Sequence, residues 1–215
     1  MNRVPAVFIT ALIDVAQDLA RRGWLRATSG NLSLRDVQNQ IIYITRSGVD
    51  KQRLAASDII GITPDGVLIA GEGKPSFETA IHQAIYARTS AQAVLHVHTV
   101  YNNLVSRYAA DGAIALTDHE MLKALGHWDE NARVALPVVP NYNDIGRAAE
   151  AVAQALNPDV PGVLLARHGI YAFGESLTDA VRHLEAWEFL LEWLCLEHLA
   201  QASQQRAATA EHLVP

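Results

Sequence analysis

The stretch "AVLHVHTVYNN" (residues 93–103) sets two opposed chemistries in one short run. Ala93, Val94, Leu95 and Val97 are what the interior of a sheet selects. His96 and His98 are polar, titratable rings placed two residues apart among them. In a strand, residues i and i+2 point to the same face, with Cα atoms about 6.5 Å apart. Two imidazoles so placed can converge on one metal ion at about 2.0–2.1 Å. The ordinary alternative is one hydrogen-bonded core histidine and one near the strand end. Burying two such rings without partners costs roughly 1–3 kcal/mol each. Coordination removes that cost, so the pattern predicts a metal pair on a buried strand.

Working outward, "TVYNNLVSRYA" predicts a short helix directly after the strand. Before it, "KPSFETAIHQAIYARTS" predicts a helix with Ser76 as N-cap and Phe77, Ile81 and Ile85 on one face. Further upstream, residues 5–22 form an amphipathic helix pattern (Phe8, Leu12, Val15, Ala16, Leu19) that stops at Gly23. "TSGNLSLRDVQNQIIYITRSG" and "SDIIGITPDGVLIA" predict antiparallel strands joined by turns at "DVQN" and "TPDG". Downstream, "TDHEMLKALGH" predicts a helix stopped by Gly126, "ARVALPVVP" a strand, and "NDIGRAAEAVAQAL" a helix. "GVLLARHGIYAFG" predicts two strands meeting at His168 and Gly169. A last helix opens at Ser176, with Asp179 at capping-box spacing, and runs past Glu197. Its stripe is Leu177, Val181, Leu184, Trp187, Leu191 and Leu194, while Phe189, Leu190, Trp193 and Leu196 add apolar surface elsewhere. Such a girth needs cover either inside the domain or at an oligomer interface. The expectation is a single domain over residues 1–200 and a polar, frayed tail over 201–215.

Composition bounds the function. With 215 residues, half of them hydrophobic, the chain suffices for one sizeable core. Lys plus Arg is 17 and Asp plus Glu is 23, a net charge of -6 with no run of like charges. That argues against nucleic acid or an anionic membrane as a partner, though not against a small anionic substrate. The single cysteine, Cys195, precludes an internal disulfide. The first residues lack a secretory pattern, and no run approaches the ~20 apolar residues of a membrane span. A cytoplasmic location is the expectation.

A metal pair needs further ligands, and His168, His82, His119 and His127 are the candidates. His168 is best placed, because Gly169 lets the backbone turn and present the ring. Three neutral histidines leave a zinc ion its full charge and an open position, as in catalytic sites. "TSGNLS" (residues 28–33) and "TRSG" (residues 45–48) are either ordinary hairpin turns or an anion nest, to which Ser76 adds a third element. Two acids stand out. Glu78 falls in a first helical turn, where it also stabilises the helix dipole. Glu120 lies three residues after Thr117, a capping-box spacing. Spacing alone makes neither of them catalytic.

In combination, "TSGNLS", "TRSG", "PSFE", "HVH" and "RHG", in that order, resemble the class II aldolase/adducin family across residues 22–196. The resemblance implies a three-layer α/β fold, with a central, largely antiparallel sheet flanked by helices, assembled as a homotetramer. It implies one zinc per subunit on His96, His98 and His168. It also implies a pocket for a small phosphorylated sugar-like substrate, lined by Gly30, Asn31, Ser47, Gly48 and Ser76. Phe77 stands where the family's aldolases have a second Ser. "VLHVHTVYNNLVS", "HEMLKALGH" and "RHGIYAFGESLTDAVRHLEAWEFLLE" narrow the likeness to the family's dehydratases acting on a methylthio-substituted ketose phosphate in methionine salvage. On that likeness Glu120 is the acid/base and Glu78 a substrate-side residue. The rival is an aldolase or epimerase on a sugar phosphate, with Glu78 leading. A non-enzymatic, adducin-like interaction domain is disfavoured by the intact histidine trio. An amidohydrolase barrel needs more chain, and a cupin would lack these helices.

Overall fold

The computed structural model describes the backbone of residues 3–211 and the side chains of residues 3–206. In chain order the elements are α1 (Ala6–Arg21), β1 (Asn31–Asp36), β2 (Ile41–Thr45), β3 (Ile59–Ile62), β4 (Leu68–Ala70), α2 (Thr79–Arg88), β5 (Ala93–Val97) and α3 (Val100–Val105). Then come β6 (Ala113–Thr117), a 3-10 segment (Glu120–Leu125), β7 (Arg133–Val139), α4 (Ile145–Ala155), β8 (Gly162–Leu165), β9 (Gly169–Gly174) and α5 (Leu177–Glu211). The strands form one sheet of order β4-β3-β2-β1-β5-β9-β8-β7-β6. Every pairing is antiparallel except β7 with β8.

Period-two alternation sorts the apolar residues onto the two faces of this sheet. Leu32, Leu34, Leu95, Val97, Leu164, Ile170 and Ala172 pack with Leu12, Ala16 and Leu19 of α1 and Leu184, Trp187 and Leu191 of α5. Ile42, Ile44, Val94, Val163, Leu165, Tyr171 and Phe173 pack with Ile81 and Ile85 of α2 and Ala148 and Val152 of α4. The product is the expected three-layer α/β arrangement. Trp187 is fully buried and donates from Nε1 to the Pro161 carbonyl at 3.2 Å. A Cβ on Gly162 would lie 2.5 Å from that nitrogen, so glycine is what lets α5 seat on β8.

Several local expectations are corrected. The second helix is capped at Glu78, not at Ser76, and starts at Thr79. Ser76 instead holds the preceding turn: its carbonyl accepts from Thr79 Oγ1 at 2.7 Å and its hydroxyl from the Glu78 N–H at 3.4 Å. Phe77 therefore lies outside the helix and is 70% exposed, unlike Ile81 and Ile85. Thr117 makes no capping box with Glu120. His119 caps that segment, accepting from the Met121 N–H at 3.1 Å, and Gly126 ends it in the left-handed region as expected. Ser176 and Asp179 do pair at the start of α5, at 3.0 and 2.6 Å. That helix continues through the expected frayed stretch as far as Glu211. Residues 212–215 of the tail lie outside the described residues. No helix among the described residues is long and apolar enough to cross a membrane.

The topology makes one corner of the sheet special. β5 is flanked by β1 and β9, both antiparallel to it. The end of β5 thus lies beside the beginnings of β1 and β9, and the register pairs His96 with Asn31 on one side and Tyr171 on the other.

Candidate metal centre

At that corner the ligand atoms of Glu78, His96, His98 and His168 all lie within 4.8 Å of one another. β5 supplies His96 on the α2-facing side of the sheet, and His98 follows directly past the strand's last residue, Val97. The loop between β8 and β9 supplies His168, and the start of α2 supplies Glu78. His96 is fully buried and stacks on Tyr171 at 3.9 Å with an interplanar angle of 8°. Gly169 makes this crowding feasible: a Cβ there would sit 2.8 Å from both His96 Cε1 and His98 Cδ2.

Hydrogen bonds fix which ring nitrogens face inward. His96 Nδ1 lies 2.9 Å from the Ile170 carbonyl, which only accepts, so Nδ1 carries the proton. Burial pushes the His96 pKa down to about 4, which keeps the ring neutral and Nε2 bare. Likewise His168 Nδ1 faces Asn141 Oδ1 at 3.0 Å, leaving its Nε2 to point inward. His98 is pushed down to about 3 by burial and then by its histidine neighbours. Its Nε2 stands 2.7 Å from the bare Nε2 of His96.

Glu78 completes the set, with Oε1 2.9 Å from His168 Nε2 and Oε2 3.3 Å from His96 Nε2. Burial alone would raise its pKa. His96, His168 and a 2.6 Å hydrogen bond from Asn31 outweigh that and hold it well below the usual carboxylate range. Converging imidazole nitrogens, held by outward hydrogen bonds and joined by an ionised carboxylate, suit a divalent cation.

The other candidates fall elsewhere. His82 is buried behind the cluster against Asn31 and Ser33. His119 packs edge-on to Phe189 and Trp193, and His127 reaches the Asp159 carbonyl at 2.8 Å. Glu120 is 82% exposed and paired with Lys123 at 2.9 Å. Strand directions put the end of β6, and Glu120 with it, at the opposite end of the sheet from the cluster. β6 is also four strands from β5, or roughly 19 Å. Within one chain Glu120 and the cluster do not meet.

The proposed phosphate residues do gather near Glu78. The Ser47 N–H donates to the Lys74 carbonyl at 3.1 Å, and Arg46 bridges to Pro75, which brings "TRSG" against "PSFE". Gly30 and Gly48 have positive φ, and Asn31 spends its side chain on Glu78 and His82. Sequence reasoning missed four residues here. Lys51 is buried, donates to the Thr28 carbonyl at 2.9 Å, and has its pKa lowered chiefly by burial, Glu78 pulling the other way. Asn141 and Asn103 anchor His168, the latter through its carbonyl at 2.6 Å. The Tyr171 hydroxyl is buried near Glu78, and burial raises its pKa. No periodicity marks any of them, although Asn103 ends the stretch that begins with the strand. Beside His98 opens a cavity of about 1170 Å³, with Trp24, Tyr101, Arg107, Arg167 and Phe189 in its walls.

The sheet carries at its β5–β9 corner three histidines and a glutamate that could hold a metal ion. The chain belongs to the class II aldolase/adducin family: residues 10–195 match the Class II Aldolase and Adducin N-terminal domain. Among its curated relatives is the methylthioribulose-1-phosphate dehydratase of Persephonella marina, 42% identical over 189 residues that cover 86% of this chain and 88% of the relative. The Bacillus subtilis enzyme of the same name is 39% identical over 186 residues, covering 85% and 89%. Among solved structures, the L-fuculose-1-phosphate aldolase of Thermus thermophilus superposes with a TM-score of 0.73 at 28% identity, covering 92% of this chain and 98% of that one.

Proposed function

We propose that this chain dehydrates 5-methylthioribulose 1-phosphate to 2,3-diketo-5-methylthiopentyl 1-phosphate in methionine salvage, in the cytoplasm. The observation that carries the chemistry is the inward convergence of the imidazoles of His96, His98 and His168 on one point beside an ionised Glu78. The relatives carry the choice of substrate. A zinc ion held by the three histidines, one per subunit, would supply a Lewis acid for the substrate ketone.

The chain's own groups do the rest. Gly30, Ser47, Gly48 and Ser76 line the phosphate end, and the Lys51 ammonium offsets its charge. Asn31 belongs to the same wall but acts on Glu78. Anchoring the phosphate turns binding energy into alignment of the C–H and C–O bonds that must break. The carbon beside the ketone must lose a proton, and the hydroxyl on the next carbon must leave as water. We assign that proton traffic to Glu120. Because Glu120 lies at the far end of its own sheet, the assignment requires Glu120 of a second copy, in keeping with a homotetramer. Glu78 then remains on the substrate side.

A second reading has its own support. Glu78 is the carboxylate at the cluster itself, and an L-fuculose-1-phosphate aldolase shares the fold. Here Glu78 would be the acid/base of an aldolase or epimerase on a sugar phosphate. Offering methylthioribulose 1-phosphate, fuculose 1-phosphate and ribulose phosphate to purified protein separates the two. Diketone formation from the first alone supports dehydration, and cleavage of the others alone would shift the assignment. Glu120→Gln should then abolish turnover with zinc retained; near-normal turnover would refute its role.

A further inference from the structure

Glu78, His82 and Tyr86 recur every four residues along one face of α2 and its N-cap, while Asn31 and Ser33 share one face of β1. The two series interleave. Asn31 sits between Glu78 and His82, and Ser33 between His82 and Tyr86. Asn31 Nδ2 donates to Glu78 Oε2 at 2.6 Å, and Asn31 Oδ1 meets His82 Nε2. Ser33 Oγ lies 2.7 Å from His82 Nδ1 and 2.7 Å from the Tyr86 hydroxyl. His82 and Ser33 are fully buried, and Asn31 and Tyr86 nearly so.

The carboxylate fixes the direction of every bond in this row. An ionised Glu78 only accepts, so Asn31 must turn its amide nitrogen toward it. The Asn31 oxygen then faces His82, so His82 Nε2 carries the ring proton. His82 Nδ1 is left to accept from the Ser33 hydroxyl, whose oxygen accepts from Tyr86. None of these groups is idle, and all but Glu78 are buried.

We infer that His82 is a positioning residue, which orients Asn31 and through it holds the Glu78 carboxylate toward the metal centre. Read from the other end, a Ser33 donor sets the His82 tautomer, which sets the Asn31 amide. Asn31 thereby holds Glu78 Oε2 beside His96 and turns Oε1 toward His168. Outer hydrogen bonds of this kind typically change metal affinity or activity about 10- to 100-fold when removed. The inference rests on Glu78 serving the metal centre, not on which substrate is turned over.

The test compares His82→Leu with His82→Gln, which keeps an N–H where Nε2 stood, in zinc- and cobalt-loaded protein. Turnover is measured on whichever phosphate substrate the wild type consumes, and the cobalt visible spectrum reads the centre without turnover. His82→Leu should lower kcat about 10- to 100-fold with KM near wild type and shift the cobalt bands. His82→Gln should restore both. In a Glu78→Gln background, His82→Leu should add nothing further, because the two act as one unit. Wild-type kcat and cobalt bands in His82→Leu would overturn the inference. So would an equal loss in His82→Gln, or independent losses in the double variant. If His82→Leu does not fold, Ser33→Ala removes only the hydroxyl that sets the tautomer and should lower kcat and shift the bands; no change overturns the inference. A wild type that cleaves aldol substrates refutes the dehydratase proposal but leaves this comparison intact. A wild type that binds no cobalt refutes both.

Discussion

Gly169 shapes the centre without contributing a side chain to it. It lets β9 begin directly beneath two imidazoles. Gly169→Ala puts a methyl 2.8 Å from His96 Cε1 and His98 Cδ2. Overpacking of this kind costs about 1–3 kcal/mol, and here the strain falls first on the Val97 carbonyl, the nearest neighbour of that methyl, and then on the two rings. The variant should lose bound metal while its helices survive, read by elemental analysis and far-ultraviolet circular dichroism. Full metal occupancy would contradict the packing account. His96 and His98 were legible because strand alternation is a strict period. His168 was legible because glycine follows it. Asn141, Asn103 and Lys51 were not, since each reaches the site from a turn or short segment whose course only the fold decides. Glu78 was visible as an acid, but its place among the histidines depends on the helix starting two residues later than a Ser76 cap suggested.

At the scale of elements, α5 steadies the histidine strand through Glu188. Its carboxyl is buried, accepts from Thr99 Oγ1 at 2.7 Å and from Asn102 Nδ2 at 2.9 Å, and so ties α5 to the start of α3, directly after His98. Burial pushes its pKa up to about 7, Glu192 adding to this while Thr99 and Asn102 pull the other way. An unfolded Glu188 loses its proton near the ordinary value of 4.5. Between there and about 7 the folded chain holds a proton that the unfolded chain has released, so stability falls as pH rises through that window. The full effect above it is about 3 kcal/mol. Glu188→Gln should therefore gain on wild type in thermal denaturation between pH 5 and pH 8. A difference that does not change with pH would contradict the raised carboxyl. This link was invisible in the sequence, where Glu188 reads as one polar position in an apolar helix.

At the scale of the molecule, the three-layer order was largely legible, because alternation in the strands and the stripe on the last helix both report burial. The end of the sheet at which each acid sits was not, since it depends on strand directions fixed by pairing. That is why Glu120 emerges far from the cluster it was expected to serve. The same helix leaves Phe189, Trp193, Leu196 and Leu199 between 38% and 56% exposed. Val100 stands 67% exposed at the start of α3. Exposed apolar surface of this extent marks an interaction face. Light scattering should give an assembly of four chains, and Trp193→Asp should lower its mass; a wild-type monomer would contradict the assembly on which Glu120's role depends.

The proposed metal on His96, His98 and His168 is the centre's defining feature, and its presence is directly measurable. Elemental analysis of purified wild type and of His96→Ala should give about one zinc per chain in the first and next to none in the second. A wild type that turns over substrate without metal, or an unchanged zinc content in His96→Ala, would contradict it.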